Sequence, residues 1–330
     1  LSIIDTSSLA HQPFRYKNLV ISYNGEVFNF KNLRLELEDL GYEFKTNSDT
    51  EVIIYLFDKF GIDSFKKLSG IFSISIWDND NKSLFLIRDT VGVKPLFYFF
   101  DKKMNKFYFS SSIRSILVNT DKKINKVALK FYQNFGRNDD HETFYKNIYK
   151  VKPGELLIFK KDKLEKIAFL KYNFVKKPLK NKSIKKNIEE AISSQLVSDV
   201  PIALSLSGGV DSNIIYSVMR ERLGKNLNIY SYYFKGYDRF NQDYKIAKEN
   251  TNFFKDKLIP VEVTHEDFSS NLEKVSEILE EPLWSQGAIL NYLMSKQVKE
   301  KVLLTGDGGD EIFTGYDQYK SIYILSMISK

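Results

Sequence analysis

The chain has 330 residues, of which 43% are hydrophobic and 15% aromatic, and 49 Lys and Arg outweigh 42 Asp and Glu for a net charge of +7. That length exceeds one ordinary core, so two domains are expected, and the composition excludes a disordered or collagenous chain. There is no cysteine, which excludes disulfides, thiolate metal sites and a cysteine nucleophile within these residues.

No apolar run is long enough to cross a bilayer, and no charged-then-apolar start marks a signal peptide, so no membrane partner is expected and the cytoplasm is the expected location. The chain opens on Leu1 inside the apolar run LSIID, without an initiating Met, which reads as a truncated or processed start. The lysines are scattered in pairs such as Lys122-Lys123 and Lys185-Lys186. No basic helix with interleaved aromatics emerges, so nucleic acid is not an expected partner.

In the first half, Leu19 to Tyr23 reads as a short strand and Asn24-Gly25 as a turn or tight loop. Leu33, Leu37 and Leu40 have helical spacing, with Gly41 as the C-cap; Val52 to Phe60 forms a second apolar helix face closed by Gly61. Phe72, Ile74 and Ile76 alternate with serines as a half-buried strand, and Ser83–Ile87 and Lys106–Ser110 read as further strands. The polar, basic stretch YNFVKKPLKNKS breaks the pattern, and Pro178 blocks a helix there. Domains are therefore expected at residues 1–172 and 184–330, with a linker at 173–183.

The second half alternates. A helix from Ser183, a strand at Ile202–Leu206, a helix from Asp211, a strand at Leu227–Phe234 and a helix near Asp243–Phe253 follow one another. Then come a strand at Leu258–Val263, helices through Phe268–Leu279 and Ala288–Val298, and a strand at Lys301–Leu304. Repeated β–α order predicts a parallel sheet with helices on both faces, and ligands at the carboxyl ends of its strands. The last run, SIYILSMISK, predicts an apolar helix left half-packed.

The strongest local signal is Ser205-Leu206-Ser207-Gly208-Gly209-Val210-Asp211-Ser212. An apolar strand runs into Ser-Gly-Gly and then a helix, so backbone N–H groups and the helix dipole converge on an anion, with the Ser207 and Ser212 hydroxyls as further donors. No Gly-Lys-Ser/Thr closes the loop, so it is not of the Walker type. A carboxylate beside a phosphate loop calls for a cation, and Asp211 therefore suggests Mg2+. A second acidic loop, Thr305-Gly306-Asp307-Gly308-Gly309-Asp310-Glu311, also follows a buried strand, and Asp310 is the candidate to complete the metal shell.

The first loop resembles the SGGxDS pyrophosphate loop of the ATP-pyrophosphatase superfamily. HQPF (His11–Phe14), YNGEVFN (Tyr23–Asn29), SDTEV (Ser48–Val52), RDTVGVKPLFY (Arg88–Tyr98) and GDGGDEIFTGY (Gly306–Tyr316), in that order, together resemble the glutamine-hydrolysing asparagine synthetases over nearly all of the chain. The resemblance implies an N-terminal-nucleophile glutaminase with an αββα sandwich, incomplete here, followed by an adenine nucleotide alpha-hydrolase-like domain. It implies that ammonia from glutamine travels inside the protein to a β-aspartyl adenylate made from ATP, with release of AMP and pyrophosphate. Asn24 and Gly25 match the oxyanion-hole pair; Leu1, Ser2, Ile3, Ile4, Asn24, Gly25, Glu26 and Asp49 match glutamine-binding positions. Leu206, Ser207, Gly208, Gly209, Val210, Asp211, Ser212, Phe234, Thr305 and Gly306 match the ATP site, and Asp307 an acidic position near the adenylate. Lys94-Pro95 reads as structural.

Five departures bear on function. The family's nucleophilic Cys is absent, the position of its glutamine-gripping Arg falls before Leu1 and that of its catalytic lysine beyond Lys330, so this chain alone is not expected to hydrolyse glutamine. Ser110-Ser111-Ser112 stands where the family usually has Ala-Ser-Glu, and Asn241-Gln242 where it often has an acidic pair. The expected substrates are glutamine, ATP and aspartate or another carboxylate, and a homodimer is the candidate assembly. The alternatives are an amidotransferase acting on another carboxylate, such as a surface-polysaccharide sugar acid or a β-lactam precursor, or a non-catalytic nucleotide-binding remnant.

Overall fold

The computed structural model describes residues 3–137, 139, 141–168, 183–283 and 285–328. The expected linker, apart from Ser183, lies outside the described residues. The chain divides into two compact units, Leu1–Asn181 with Ser276–Trp284, and Lys182–Val275 with Ser285–Lys330.

Unit 1 opens with β1 (Phe14–Tyr16), β2 (Leu19–Val27), α1 (Phe30–Asp39), α2 (Asp49–Phe60), β3 (Gly70–Asp78) and β4 (Ser83–Arg88). It continues through β5 (Phe97–Asp101), β6 (Lys106–Ser110), α3 (Ile113–Leu117), α4 (Lys126–Phe135), β7 (Tyr149–Lys150), β8 (Glu155–Lys160) and β9 (Lys163–Ala168). The strands form a six-stranded sheet, β1-β2-β3-β4-β8-β9, and a three-stranded sheet, β6-β5-β7. Alternation on β5 sets the layers. Tyr98 packs with Leu84, Leu86 and Leu157 of the larger sheet, while Phe97 and Phe99 lie against Ile113 and Ile116 of α3. Helix α2 buries residues 49–57 without a break and packs on β1 and β2, with α1 beside it. The result is an αββα stack.

Asn24-Gly25 is not a turn. Both residues continue β2, opposite Ser73 and Phe72 of β3. Gly25 has φ +151, and a Cβ there would lie 2.1 Å from the Ile71 carbonyl oxygen; the glycine permits close strand approach rather than chain reversal. The two helix ends expected at Gly41 and Gly61 are found, with φ +86 and +56.

Unit 2 comprises α5 (Ile184–Ser194), β10 (Ile202–Ser205), α6 (Val210–Leu223), β11 (Asn228–Phe234), α7 (Gln242–Phe254) and β12 (Lys257–Val263). Then follow α8 (His265–Leu279), which runs from unit 2 into the Ser276–Trp284 segment, α9 (Gly287–Gln297), β13 (Val302–Leu304), α10 (Gly309–Phe313) and α11 (Asp317–Ile328). The sheet is parallel, in the order β12-β11-β10-β13. Leu204 faces Tyr216 and Met219 of α6, and its neighbour Ala203 faces Met294 of α9, so helices cover both faces. From β10 the chain steps to β11 on one side and returns as β13 on the other, so β10 and β13 flank a topological switch point. Along α11, Ile322, Tyr323 and Leu325 are 61%, 63% and 65% exposed, the half-packed helix expected there. No described helix is long and apolar enough to cross a membrane.

The Ser276–Trp284 segment is tied to the rest of unit 1 by polar contacts. The Glu280 carboxylate accepts from the Ser112 hydroxyl (2.6 Å), the Ile113 N–H (2.5 Å) and the Arg114 N–H (2.9 Å), and Lys150 pairs with Glu281 at 2.8 Å. Ser112→Glu is expected to set two carboxylates against each other and lower stability by about 1–3 kcal/mol, whereas Ser112→Ala costs about 1 kcal/mol. Denaturant titration of the two variants distinguishes these outcomes.

Candidate functional site

In unit 1 the sequence-predicted residues gather where β2 meets the start of α2. Ser48 caps α2 by accepting from the Thr50 N–H at 3.1 Å, which fixes Asp49 in the first turn. Asp49 accepts from the Tyr23 hydroxyl (2.8 Å) and the Val27 N–H (3.1 Å) on β2. The apolar N-terminal segment is drawn to the same place, because Asp5 accepts from the Asn47 N–H at 2.7 Å and Ile3 and Ile4 are buried. Leu1 and Ser2 lie outside the described residues. A cavity of about 260 Å³ is lined there by Ile4, Gln12, Tyr23, Ser48 and Thr50, among others. The Asn24 side chain makes no hydrogen bond among the described residues, so its amide is free to donate.

Glu26 and Asp49 are 7% and 5% exposed. Burial, and secondarily the charge of Asp49, pushes the Glu26 carboxyl up to about 7, against the pull of Lys94. Burial also raises Asp49. Glu26 Oε1 is buried with no partner among the described residues, an acceptor in need of a donor. Two desolvated carboxylates side by side make a concentration of negative charge that a cation would relieve.

Lys94, read from the sequence as structural, has both roles. Its N–H donates to Asp89, its carbonyl accepts from Arg88, and Asp89 also takes the N–H groups of Val91, Gly92 and Val93. This stapling fixes the RDTVGVKP loop. The Lys94 ammonium, lowered by burial, is the cation acting on Glu26 and Asp89. Nothing in the spacing of Glu26 and Lys94 announces this pairing; the β2–β3–β4 register creates it.

In unit 2 the phosphate loop is preorganised. The Ser207 N–H donates to the Ser212 hydroxyl (3.1 Å), the two hydroxyls are 3.0 Å apart, and the Gly209 N–H donates to Ser207 Oγ (3.1 Å). Leu206 is buried, its N–H bound to the Tyr230 carbonyl on β11. Helix α6 begins at Val210 with no side-chain cap, so its first-turn N–H groups remain available to an anion.

The acidic loop meets this one across the switch point, since Leu204 and Leu304 are partners in the β10–β13 pair. A Cβ on Gly309 would lie 2.4 Å from the Asp211 carboxyl, and one on Gly306 would lie 3.2 Å from the Ser212 nitrogen. Thr305 donates its hydroxyl to Asp307 at 2.7 Å. Asp211, Thr305, Gly306 and Asp307 line one cavity of about 470 Å³, along with Val210 and Ile312, whereas Leu206, Ser207 and Phe234 do not line it. Among the described residues no three His, Asp or Glu side chains gather as a metal centre. Asp211 lines this cavity and Asp310 does not, its carboxyl lying against Gly315; a Mg2+ held here would take Asp211 and complete its octahedron with phosphate oxygens and water, its usual mode.

Phe234, at the end of β11, is clamped by Asn241, which is 1% exposed. The Asn241 Oδ1 accepts from the Phe234 N–H (2.7 Å) and its Nδ2 donates to the Phe234 carbonyl (2.9 Å). An amide can do both, and a carboxylate cannot. The departure at Asn241 therefore has a local structural role.

Residues 1–172 match the family model for a glutamine amidotransferase domain and residues 183–329 that for asparagine synthase. A protein of Methanocaldococcus jannaschii assigned as a second glutamine-hydrolysing asparagine synthetase is 32% identical, covering 100% of this chain and 68% of its own length. Asparagine synthetase [glutamine-hydrolyzing] 1 of Bacillus subtilis is 32% identical over 97% of this chain and 51% of its own length. A protein of Gibberella zeae named Amidase chry2 is 26% identical over 97% of this chain, again 51% of its own length. The chain thus spans between about half and two thirds of these relatives.

Glu26 titrates higher in the fold than its ordinary value of 4.5, at about 7, so its contribution to stability is complete below pH 4.5 and is lost as pH rises through 7. Glu26→Gln is expected to remove that loss, raising Tm relative to the parent chain by about 2–4 °C more at pH 8 than at pH 4.5; calorimetry at both pH values checks it. Asn241→Asp is expected to cost about 1–3 kcal/mol of unfolding free energy, because it strands the Phe234 carbonyl and buries a carboxylate; denaturant titration reads it directly.

Proposed function

We propose, because the chain belongs to the glutamine-hydrolysing asparagine synthetase family, that unit 2 spends ATP on activating a carboxylate and that unit 1 holds the glutamine supplying its amide nitrogen. The observation that carries the reading is the meeting of the SGGVDS and TGDGGDE loops at the switch point between β10 and β13.

A carboxylate is a poor electrophile, and joining it to AMP makes it a good one. The Ser207 and Ser212 hydroxyls and the first-turn N–H groups of α6 hold the departing pyrophosphate, whose negative charge the helix dipole favours. Asp211 would hold Mg2+, which when bound supplies charge neutralisation for the phosphates. Leu206 and Phe234 provide apolar contact for the nucleoside, Thr305 and Gly306 border it, and Asp307 lies near the adenylate. The favoured acceptor is aspartate, giving asparagine, AMP and pyrophosphate.

In unit 1, Glu26 and Asp49 receive the α-ammonium group of glutamine, and Ile3 and Ile4 bound it. Asn24 and the Gly25 N–H stabilise the oxyanion that develops as the amide is attacked. The likeness to Amidase chry2 favours a second reading, in which the same loops activate a different carboxylic acid.

The test uses the complete protein with ATP, Mg2+ and ammonium, following pyrophosphate release with and without aspartate. Aspartate-dependent pyrophosphate in step with AMP and asparagine is the expected result. Pyrophosphate that ignores aspartate and follows another acid selects the second reading; none with any acid refutes both. Asp211→Asn is expected to lower the rate at least about 100-fold.

A further inference from the structure

We propose that a lysine-rimmed cavity in unit 1, separate in its residues from the glutamine site, binds a multiply charged phosphate chain. The cavity has a volume of about 950 Å³, at the upper end of the range for small-molecule sites. Among the described residues six lysines line it against three aspartates.

Two of the three aspartates are engaged, while Asp162 has no side-chain bond among the described residues. Asp121 is ion-paired with Lys123 at 2.9 Å, and Asp101 accepts from the N–H groups of Lys103 and Met104 in its own turn. The ammonium groups of Lys102, Lys103, Lys122 and Lys146 have no ion pair or hydrogen bond among the described residues. Their convergence from the β5–β6 turn, the loop after α3 and the turn before β7 focuses positive potential into one concavity. No arginine lines it. Several converging ammonium point charges suit an anion that carries several charges, such as a chain of phosphates, better than they suit a single carboxylate.

The inner wall fixes a fifth cation. His141 stacks on Tyr149 with ring centroids 4.9 Å apart, and its Nδ1 lies 2.9 Å from the Lys150 carbonyl oxygen. With the proton on Nδ1 donated there, Nε2 accepts from Lys166 Nζ at 3.3 Å. The same ammonium lies 5.6 Å from the centroid of the Tyr98 ring. Lys166 is thereby positioned at the wall of the cavity rather than swinging free in solvent.

The phosphate chain could be free or the tail of a nucleotide, and the titration separates these. Inorganic tripolyphosphate is titrated calorimetrically into the full chain, the triple variant K102S/K103S/K146S and a control triple, K31S/K45S/K82S, whose lysines lie outside the cavity. The expected result is micromolar binding at 0.1 M salt, at least about tenfold weaker in the cavity triple and within twofold in the control. ATP is titrated into the same proteins carrying Asp211→Asn. Binding of ATP tighter than tripolyphosphate that is lost with the cavity lysines assigns a nucleotide tail, and equal or weaker binding a free phosphate chain. No binding by the parent chain, or equal loss in both triples, overturns the proposal. Pyrophosphate release with ammonium is expected to be unchanged in the cavity triple, so failure here and failure of the synthetase reading are separate outcomes.

Discussion

A carboxylate taken out of water must be met by donors, and the way this chain meets that demand separates its scaffold from its site. Asp89 is fully buried, and five backbone N–H groups converge on it. Glu51 is equally buried and takes the Lys45 and Thr46 N–H groups with the Thr46 and Tyr55 hydroxyls. These two are closed structural joints; one fixes the RDTVGVKP loop and the other the approach to α2. Between them stand Asp49, with two donors on one oxygen, and Glu26, with an orphan oxygen. Asp256 also has an unpartnered oxygen, but Arg220 and Tyr216 bind its other one and neutralise it. Among the described residues Glu26 alone combines burial, an orphan acceptor and a neighbouring carboxylate, an incomplete satisfaction that fits the ligand-holding role proposed for it.

Unit 2 solves the opposite problem. A polyphosphate needs donors without desolvated negative charge beside them, and a parallel sheet delivers these where its winding reverses. The β10–β13 register brings two glycine-rich loops within contact distance. Gly309 has no room for a Cβ beside the Asp211 carboxyl, so loop contact and the placement of that carboxylate are one constraint. Asp211 is partly exposed rather than sealed, which leaves it able to exchange water for a cation.

Strong periodicity and punctuation made most of this legible. The helices ending at Gly41 and Gly61, the βα order of the second half and the SGGVDS loop all follow from residue type and spacing. What was not legible depended on distant pairing. Asn24-Gly25 carries the local chemistry of a turn, and only the partner strand keeps it extended. Strands β5, β8 and β9 have no clean alternation, because β5 is covered on both faces and β9 is a mostly polar hairpin partner. The action of Lys94 on Glu26 crosses two strands and leaves no trace in spacing.

The two departures from the family pattern make the same point about function. Ser110-Ser111-Ser112 and Asn241-Gln242 were the internal grounds for reading the chain as a non-catalytic remnant. Ser112 meets a carboxylate supplied from elsewhere in the same unit, by Glu280, so the negative charge the family usually places at that position is present from another source. Asn241 satisfies both polar groups of the Phe234 backbone, a task that needs a donor and an acceptor on one side chain. Decay leaves unsatisfied groups and cavities behind; here Ser112 and Asn241 each have a partner whose chemistry suits the replacement. The loops that would hold ATP are complete, and the departures beside them are compensated, which argues for a working synthetase half.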